Sequence, residues 1–330
     1  MHAVVLVGGF GTRLRPLTNS IPKPLLPLGQ RTILEWLMVH LARGGVTDAV
    51  LALGFKPEPF LDAYPDSVCA GVRLTYAIED SPLDTAGAIG FAARKAGLHE
   101  RGEAFLVANG DIVTDLRVAD LVARHRVNAA SGALATIHLT PVDDPSQYGV
   151  VEYAPSAMAT GAASVGTDQV SGFVEKPAAG TTTSRHVNAG TYVLESFVLD
   201  LMPGTAPLSI ERATFPELVR RGALFAFPTD DYWLDAGRPE SFRQANLDIV
   251  SGRRRDREPA VHPTAVVASS AHVSDSVIGA GAVVGAGAVV TESVIFPRAV
   301  VGERSTIVRS SVMGRVADGA VARNQLVAGE

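Results

Sequence analysis

The stretch VVLVGGFGTRLRPLTNSIPKPLLPLG, residues 4–29, decides how this chain is read. Its start belongs to an apolar run, AVVLV at 3–7, which Gly8 and Gly9 end; such a run predicts a strand buried on both faces of a parallel sheet. The loop that follows matches no common phosphate loop. GxxxxGKS and GxxxxGKT are both absent, which excludes a Walker A motif. Gly9-x-Gly11 could begin a dinucleotide fingerprint, but Leu14 stands where a small residue belongs and Arg13 where a helix would pack, which disfavours a dehydrogenase. What remains is a glycine turn whose amides can approach a nucleotide, with cations delivered beside it. Arg13, with Arg15 close behind, offers a planar fork for phosphate oxygens, and Lys23 a compact charge on a stem aimed by Pro22 and Pro24.

Outward from this loop, strands and helices alternate. A helix is predicted over 32–43, where Thr32 and Glu35 form a capping box, Ile33, Leu34, Leu37, Met38 and Leu41 make an apolar stripe, and Gly44 stops it. Strands follow at 49–53, 73–78, 104–108 and 133–139, and helices near 58–64, 85–96 and 116–126. This spacing predicts an α/β fold with a doubly wound, Rossmann-like mixed sheet, whose ligands sit just after the carboxyl ends of strands. Residues 154–168 are small and weakly patterned and read as a hairpin tip between strands 149–153 and 169–174. A last helix, about 239–250, leads into RRRDRE at 253–258, which reads as a solvated linker.

Beyond that run the sequence repeats. Val261, Val267, Val273, Ile278, Val284, Val290, Ile295, Val301 and Ile307 recur at steps of five or six, often followed by Gly and a small residue. One aliphatic per six residues predicts a left-handed parallel β-helix that stacks its aliphatics inward. Its expected role is a homo-oligomerisation surface; an acyltransferase site would have to use His262 or His272, the histidines of its first, least regular coils. The expected organisation is therefore a domain over 1–238, a helix and charged linker over 239–258, and the β-helix over 259–330.

Composition narrows the function. Twenty-nine basic against 34 acidic side chains give a net charge of −5, so nucleic acid and anionic membranes are not expected partners and any anion site must be local. No run approaches the ~18 apolar residues of a membrane span. The single cysteine, Cys69, excludes an intrachain disulfide and suits a reducing compartment, and a cytoplasmic location is expected.

The segment GGFGTRLRPLT followed by PKPL resembles the sugar-phosphate nucleotidyltransferases, closest to the mannose-1-phosphate guanylyltransferase (GDP-mannose pyrophosphorylase) branch. EDSPLDTAG at 79–87, NGD at 109–111, YGVV at 148–151, FVEKP at 173–177, VNAGTYVL at 187–194, SIERATFPELV at 209–219 and WLDAGRPESF at 233–242 follow in family order. The resemblance implies transfer of a nucleoside monophosphate, GMP foremost, from an NTP to a sugar 1-phosphate, mannose 1-phosphate foremost, with release of pyrophosphate. It also leaves thymidylyl, adenylyl or uridylyl transfer to glucose 1-phosphate or a cyclitol phosphate open. An alternative of another class is a non-catalytic regulatory subunit that senses nucleotide sugars.

By the same resemblance, Arg13 and Lys23 hold the triphosphate and stabilise the leaving group, and Lys176 grips the sugar phosphate. Asp111 and Asp235 are implied to bind Mg²⁺. Gly8, Gly9, Gly11, Thr12, Glu79, Asp84, Thr85 and Gly110 fall at nucleotide positions, and Gly149, Glu175 and Asn188 at sugar positions. Glu79 stands where related thymidylyl enzymes carry glutamine; an ionised carboxylate suits the adjacent N1–H and N2 amino donors of guanine. Asp84 departs from the usual L-G-T-A-G pattern, in which this position is glycine. It could accept a ribose hydroxyl, repel the triphosphate or restrict the backbone.

Overall fold

The computed structural model describes residues 1–9, 11–54, 57–153, 168–178 and 180–328. Packing divides the chain into two units. One comprises Met1–Gly8, Met38–Gly110 and Leu116–Trp233; the other comprises Gly9–Leu37, Asp111–Asp115 and Leu234–Glu330.

The first unit is built on a ten-stranded mixed sheet. At its centre His2–Leu6 lies parallel to Asp48–Leu53 on one side and to Phe105–Asn109 on the other, and Asp48–Leu53 continues in parallel to Val72–Ile78. Ala3, Val4 and Val5 are each fully buried, as a strand covered on both faces must be. Val68–Cys69 closes that edge, antiparallel to Val72–Ile78, while His186–Leu194 runs antiparallel to Phe105–Asn109 and carries the other side of the sheet: Ala135–Pro141, Gly149–Tyr153, Val170–Glu175 and Leu224–Pro228. The helix Asp84–Lys95 packs on the central strands through Ala86, Ile89, Ala92 and Ala93. Its Gly90 lets the backbone at Met202 come so close that a Cβ there would stand 2.1 Å from the Met202 carbonyl oxygen.

The expected strands and helices are present, with shifted ends. The helix predicted from 116 runs instead over Val118–Ala129, because Arg117 is still extended (ψ 95°). Of the expected hairpin tip, residues 154–167 lie outside the described residues.

In the second unit three parallel four-stranded sheets form the left-handed β-helix. Val267, Val284, Val301 and Val316 stack inward in one column, Val273, Val290, Ile307 and Ala322 in a second. One corner is made by Asp275, Glu292, Arg309 and Asn324, all with left-handed backbone (φ 45° to 52°). Serines follow three of them, and their hydroxyls continue the ladder where the backbone turns. Ser276 Oγ accepts the Ser293 amide at 3.0 Å, Ser293 Oγ the Ser310 amide at 3.1 Å, and Ser310 Oγ the Gln325 amide at 3.1 Å.

The run 253–258 corrects the solvated-linker reading. Arg254 is buried, donates to Asp115 Oδ1 from Nε at 3.0 Å and Nη2 at 2.7 Å, and lies 5.6 Å from the centre of the Trp36 ring. Glu258 accepts the Gln30 amide and Arg31 Nε. Charges in this run hold Asp115 and the short hairpin Pro27–Thr32, so only part of the run faces water. Among the described residues no helix is long and apolar enough to cross a membrane.

Candidate active site

The signature loop lies in the second unit and is fixed from several sides. Gly11 adopts φ +57°, and a Cβ there would stand 3.0 Å from Thr18 Cγ2, whose Oγ1 donates to the Gly11 carbonyl at 2.8 Å. Short 3₁₀ turns follow at Thr12–Leu14, Leu17–Asn19 and Lys23–Leu25, with Leu14 and Leu17 fully buried. Asn246, fully buried on the helix Pro239–Ser251, clips the far end: its Oδ1 accepts the Gly29 amide at 2.8 Å and its Nδ2 donates to the Pro27 carbonyl at 3.2 Å. Arg13 and Arg15 are exposed and enter no ion pair among the described residues, which leaves both guanidinium groups available to an anion. Thr12 is exposed, and the space around Gly9 is open.

Lys23 does the opposite. Its side chain is 8% exposed, and its ammonium donates to Asp111 Oδ2 at 2.8 Å and to Asp235 Oδ1 at 3.4 Å. Residues 88 and 212 positions apart from Lys23 thus meet on one atom. Asp111 sits just before the short strand Ile112–Thr114 and Asp235 ends Trp233–Asp235, and these two strands pair. Asp111 Oδ1 and Asp235 Oδ2 carry no hydrogen bond among the described residues. Two carboxylates converging on one cation, each with an oxygen to spare, form a donor set that fits a hard divalent ion completed by phosphate oxygens and water. No group of three or more potential metal ligands gathers among the described residues.

In the first unit, loops leave the carboxyl ends of the parallel strands close together. Gly8 and Gly54 face each other, and a Cβ on either would stand 3.0 Å from the other's backbone. Gly110 donates its amide to the Leu6 carbonyl at 2.8 Å, with no room for a side chain. Gly54 carries no motif and escaped the sequence reading. Glu79 follows the strand Val72–Ile78 and is half-buried; its Oε2 accepts the Leu83 amide at 3.0 Å. Burial raises its pKa above the ordinary carboxylate value, against a smaller lowering by that hydrogen bond.

Asp84 is exposed at the start of its helix with φ +56°, and its Oδ1 accepts the Thr85 amide at 2.7 Å. The left-handed backbone explains why the family pattern places glycine here; aspartate is among the few other residues that tolerate it. The Thr85 hydroxyl donates to Glu211 Oε2 at 2.7 Å and accepts the Ile210 amide at 2.8 Å. Its proton is committed to a brace within the protein.

The residues expected at sugar positions lie on neighbouring strands of the same unit. Gly149 pairs with Glu175 across the sheet, and a Cβ on Gly149 would stand 2.6 Å from Phe173 Cζ and 3.0 Å from Glu175 Oε2. Glu175 Oε1 lies 3.2 Å from Lys176 Nζ. Lys176 adopts φ +50° and donates its amide to the Tyr148 carbonyl at 3.0 Å, a left-handed turn that swings its exposed side chain off the strand. Asn188 lies beside a bulge: its Oδ1 accepts the Gly190 amide at 2.9 Å and its Nδ2 donates to Tyr192 Oη at 3.4 Å. Trp233 Nε1 donates to the Ala189 carbonyl at 2.9 Å, and Tyr148 packs edge-on against it. Asn109, which precedes Gly110, has a buried Oδ1 without a partner among the described residues.

A family model described as Nucleotidyl transferase matches residues 2–252. Mannose-1-phosphate guanyltransferase of Yarrowia lipolytica is 36% identical over 268 residues, 80% of this chain and 68% of the relative. The enzyme of the same name from Schizosaccharomyces pombe is 35% identical over 268 residues, 80% of this chain and 69% of the relative. Among solved structures, HddC from Yersinia pseudotuberculosis, also solved in complex with GMP-PN, superposes with a TM-score of 0.57 at 27% identity, covering 74% of this chain and 97% of that one. With a match to the family model over three quarters of its length, and with the signature loop's lysine meeting two distant aspartates, the chain belongs to the nucleotidyl transferase family.

Proposed function

We propose that this protein transfers GMP from GTP to mannose 1-phosphate, releasing pyrophosphate. The observation that carries the proposal is the meeting of Lys23 with Asp111 and Asp235, since it gathers a buried cation and two metal-ligand candidates in one place. The choice of guanine and mannose is supported by the names of the relatives above and by an acceptor carboxylate at Glu79.

The chemistry asks for little acid–base help. A phosphate monoester is mostly dianionic at neutral pH, its second pKa being about 6, so its oxygen attacks the α-phosphorus without a general base. A new phosphorus–oxygen bond forms, and the bond from the α-phosphorus to the bridging oxygen breaks, so that the electron pair leaves with pyrophosphate. The protein's task is to position two polyanions and to stabilise the departing charge. Arg13 and Lys23 bind the triphosphate and offset charge on the leaving group. Lys176 holds the sugar phosphate, while Glu175, Asn188 and the backbone at Gly149 hold the sugar. Gly8, Gly9, Gly11, Thr12 and Gly110 let backbone approach the nucleotide, Glu79 reads the base, and Asp84 and Thr85 bound the loop beside it. A Mg²⁺ held by Asp111 and Asp235 would supply positive charge to the phosphate oxygens.

The remaining features fit a cytoplasmic homo-oligomer. Cys69 is buried, and outward-facing Val266 and Val283 leave an apolar column on one β-helix sheet. The substrates are tested by a grid of the nucleoside triphosphates against several sugar 1-phosphates with Mg²⁺, read as pyrophosphate produced. GTP with mannose 1-phosphate is expected to be fastest. A faster pair corrects the substrates, whereas nucleotide-sugar binding with no pyrophosphate from any pair makes the protein a sensor.

A further inference from the structure

Lys23 is the innermost member of its cluster. Its side chain is 8% exposed, against 44% for Asp111 and 26% for Asp235, so the carboxylates are open to solvent and the ammonium lies behind them. No other cation among the described residues pairs with either aspartate. The backbone around Lys23 is held: the Leu26 amide donates to its carbonyl at 3.0 Å, and prolines flank it. Any new partner for the ammonium must therefore come to it.

These facts set a dication and the ammonium in competition for the same two carboxylates. A metal ion that takes the oxygens used by Lys23 strands a buried ammonium, which is costly. One that takes the outer oxygens sits a few ångströms from a like charge in a partly desolvated place. A polyphosphate removes both penalties by offering the ammonium oxygens of its own.

We propose that Lys23 makes metal and triphosphate loading mutually dependent: it holds Asp111 and Asp235 against a bare divalent ion and yields them when a polyphosphate takes its charge. The proposal rests on the nucleotidyl-transfer reading only for the identity of the polyphosphate. Because coupling is reciprocal, the metal strengthens triphosphate binding by the same factor as the triphosphate strengthens metal binding. The enzyme thus selects the metal–nucleotide complex as a unit.

The first test needs no nucleotide. Mn²⁺ binding to the full chain is followed by loss of the free-ion EPR signal, for wild type, Lys23→Met and Lys23→Met with Asp111→Asn, with circular dichroism to confirm folding. Lys23→Met is expected to bind Mn²⁺ about tenfold more tightly than wild type, and the added Asp111→Asn to reverse the gain. Equal or weaker binding by Lys23→Met overturns the proposal. The second test measures binding of a non-hydrolysable GTP analogue by calorimetry with and without Mg²⁺, in wild type and Lys23→Gln. The metal-dependent gain is expected to exceed about tenfold in wild type and to shrink in the variant; an unchanged gain overturns the proposal. Pyrophosphate release reports separately on the transferase reading, so failure of the coupling leaves that reading standing.

Discussion

Gly237 donates its amide to Asp235 Oδ1 at 2.8 Å, and a Cβ on this glycine would stand 2.8 Å from that oxygen and 3.1 Å from Lys23 Nζ. A side chain cannot enter without moving one of the two groups the site depends on. Gly237→Ala is therefore expected to fold normally, with an unchanged circular dichroism spectrum, and to lose on the order of 10²-fold in kcat/KM, the cost of a displacement near 1 Å. Wild-type kinetics in this variant would show that Asp235 is not held where the chemistry needs it.

Glu79 gives the base preference a pH signature. Burial lifts its pKa above the ordinary carboxylate value. As pH falls through that raised pKa, the acceptor is lost and a protonated carboxyl takes its place, so discrimination for guanine fades on acidification at a higher pH than an ordinary carboxylate would give. The GTP to dTTP ratio of kcat/KM is expected to fall on acidification in wild type, starting above the ordinary carboxylate pKa. In Glu79→Gln it should be flat and about tenfold lower at pH 7. An unchanged ratio in the variant would remove Glu79 from base recognition.

Arg254 and Asp115 are nearly inaccessible partners, and Asp115 Oδ2 also accepts the Arg255 amide at 2.7 Å. Arg254→Met leaves a buried carboxylate with one donor and is expected to cost about 3–5 kcal/mol in denaturant unfolding. Adding Asp115→Asn should restore more than half of the loss, because the uncompensated charge is gone. A double variant no more stable than the single would show that the packing of Arg254 on Trp36 carries the effect.

His138 sits in the core of the mixed sheet, with Nε2 2.9 Å from Thr229 Oγ1, and burial pushes its pKa down to about 3. The folded protein thus binds fewer protons here than the unfolded chain, whose histidine titrates near 6.5. The stability this neutral ring contributes is fully present above that value and is lost as pH falls from it towards 3, by up to about 1.4 kcal/mol per pH unit. Wild type should therefore lose thermal stability more steeply than His138→Gln between pH 6.5 and 5. Parallel slopes would contradict a neutral buried ring.

Much of the architecture was legible because it is written in periods. The apolar runs of the sheet, the Thr32–Glu35 capping box and the aliphatic steps of the β-helix are local patterns, and each is where the residues required it, except that Val261, expected inside the first coil, is exposed. Motif resemblance reached Lys23, Asp111 and Asp235 one by one. Spacing could not bring them to one atom, since their meeting depends on the pairing of two short strands distant in the chain. Arg254 was misread because a run of like charges reads as solvated until a buried carboxylate appears opposite it. Gly54 matters through close backbone approach, which leaves no pattern in the sequence, and the NGD motif that holds Asn109 gave no sign of its unpartnered buried oxygen.

The central claim is tested most directly by pyrophosphate release from GTP and mannose 1-phosphate with Mg²⁺, comparing wild type with Asp111→Asn and Asp235→Asn. Wild type should turn over, and each variant should lose on the order of 10²–10³-fold in kcat while remaining folded. Turnover by both variants at the wild-type rate would contradict the assignment of this cluster as the reaction centre.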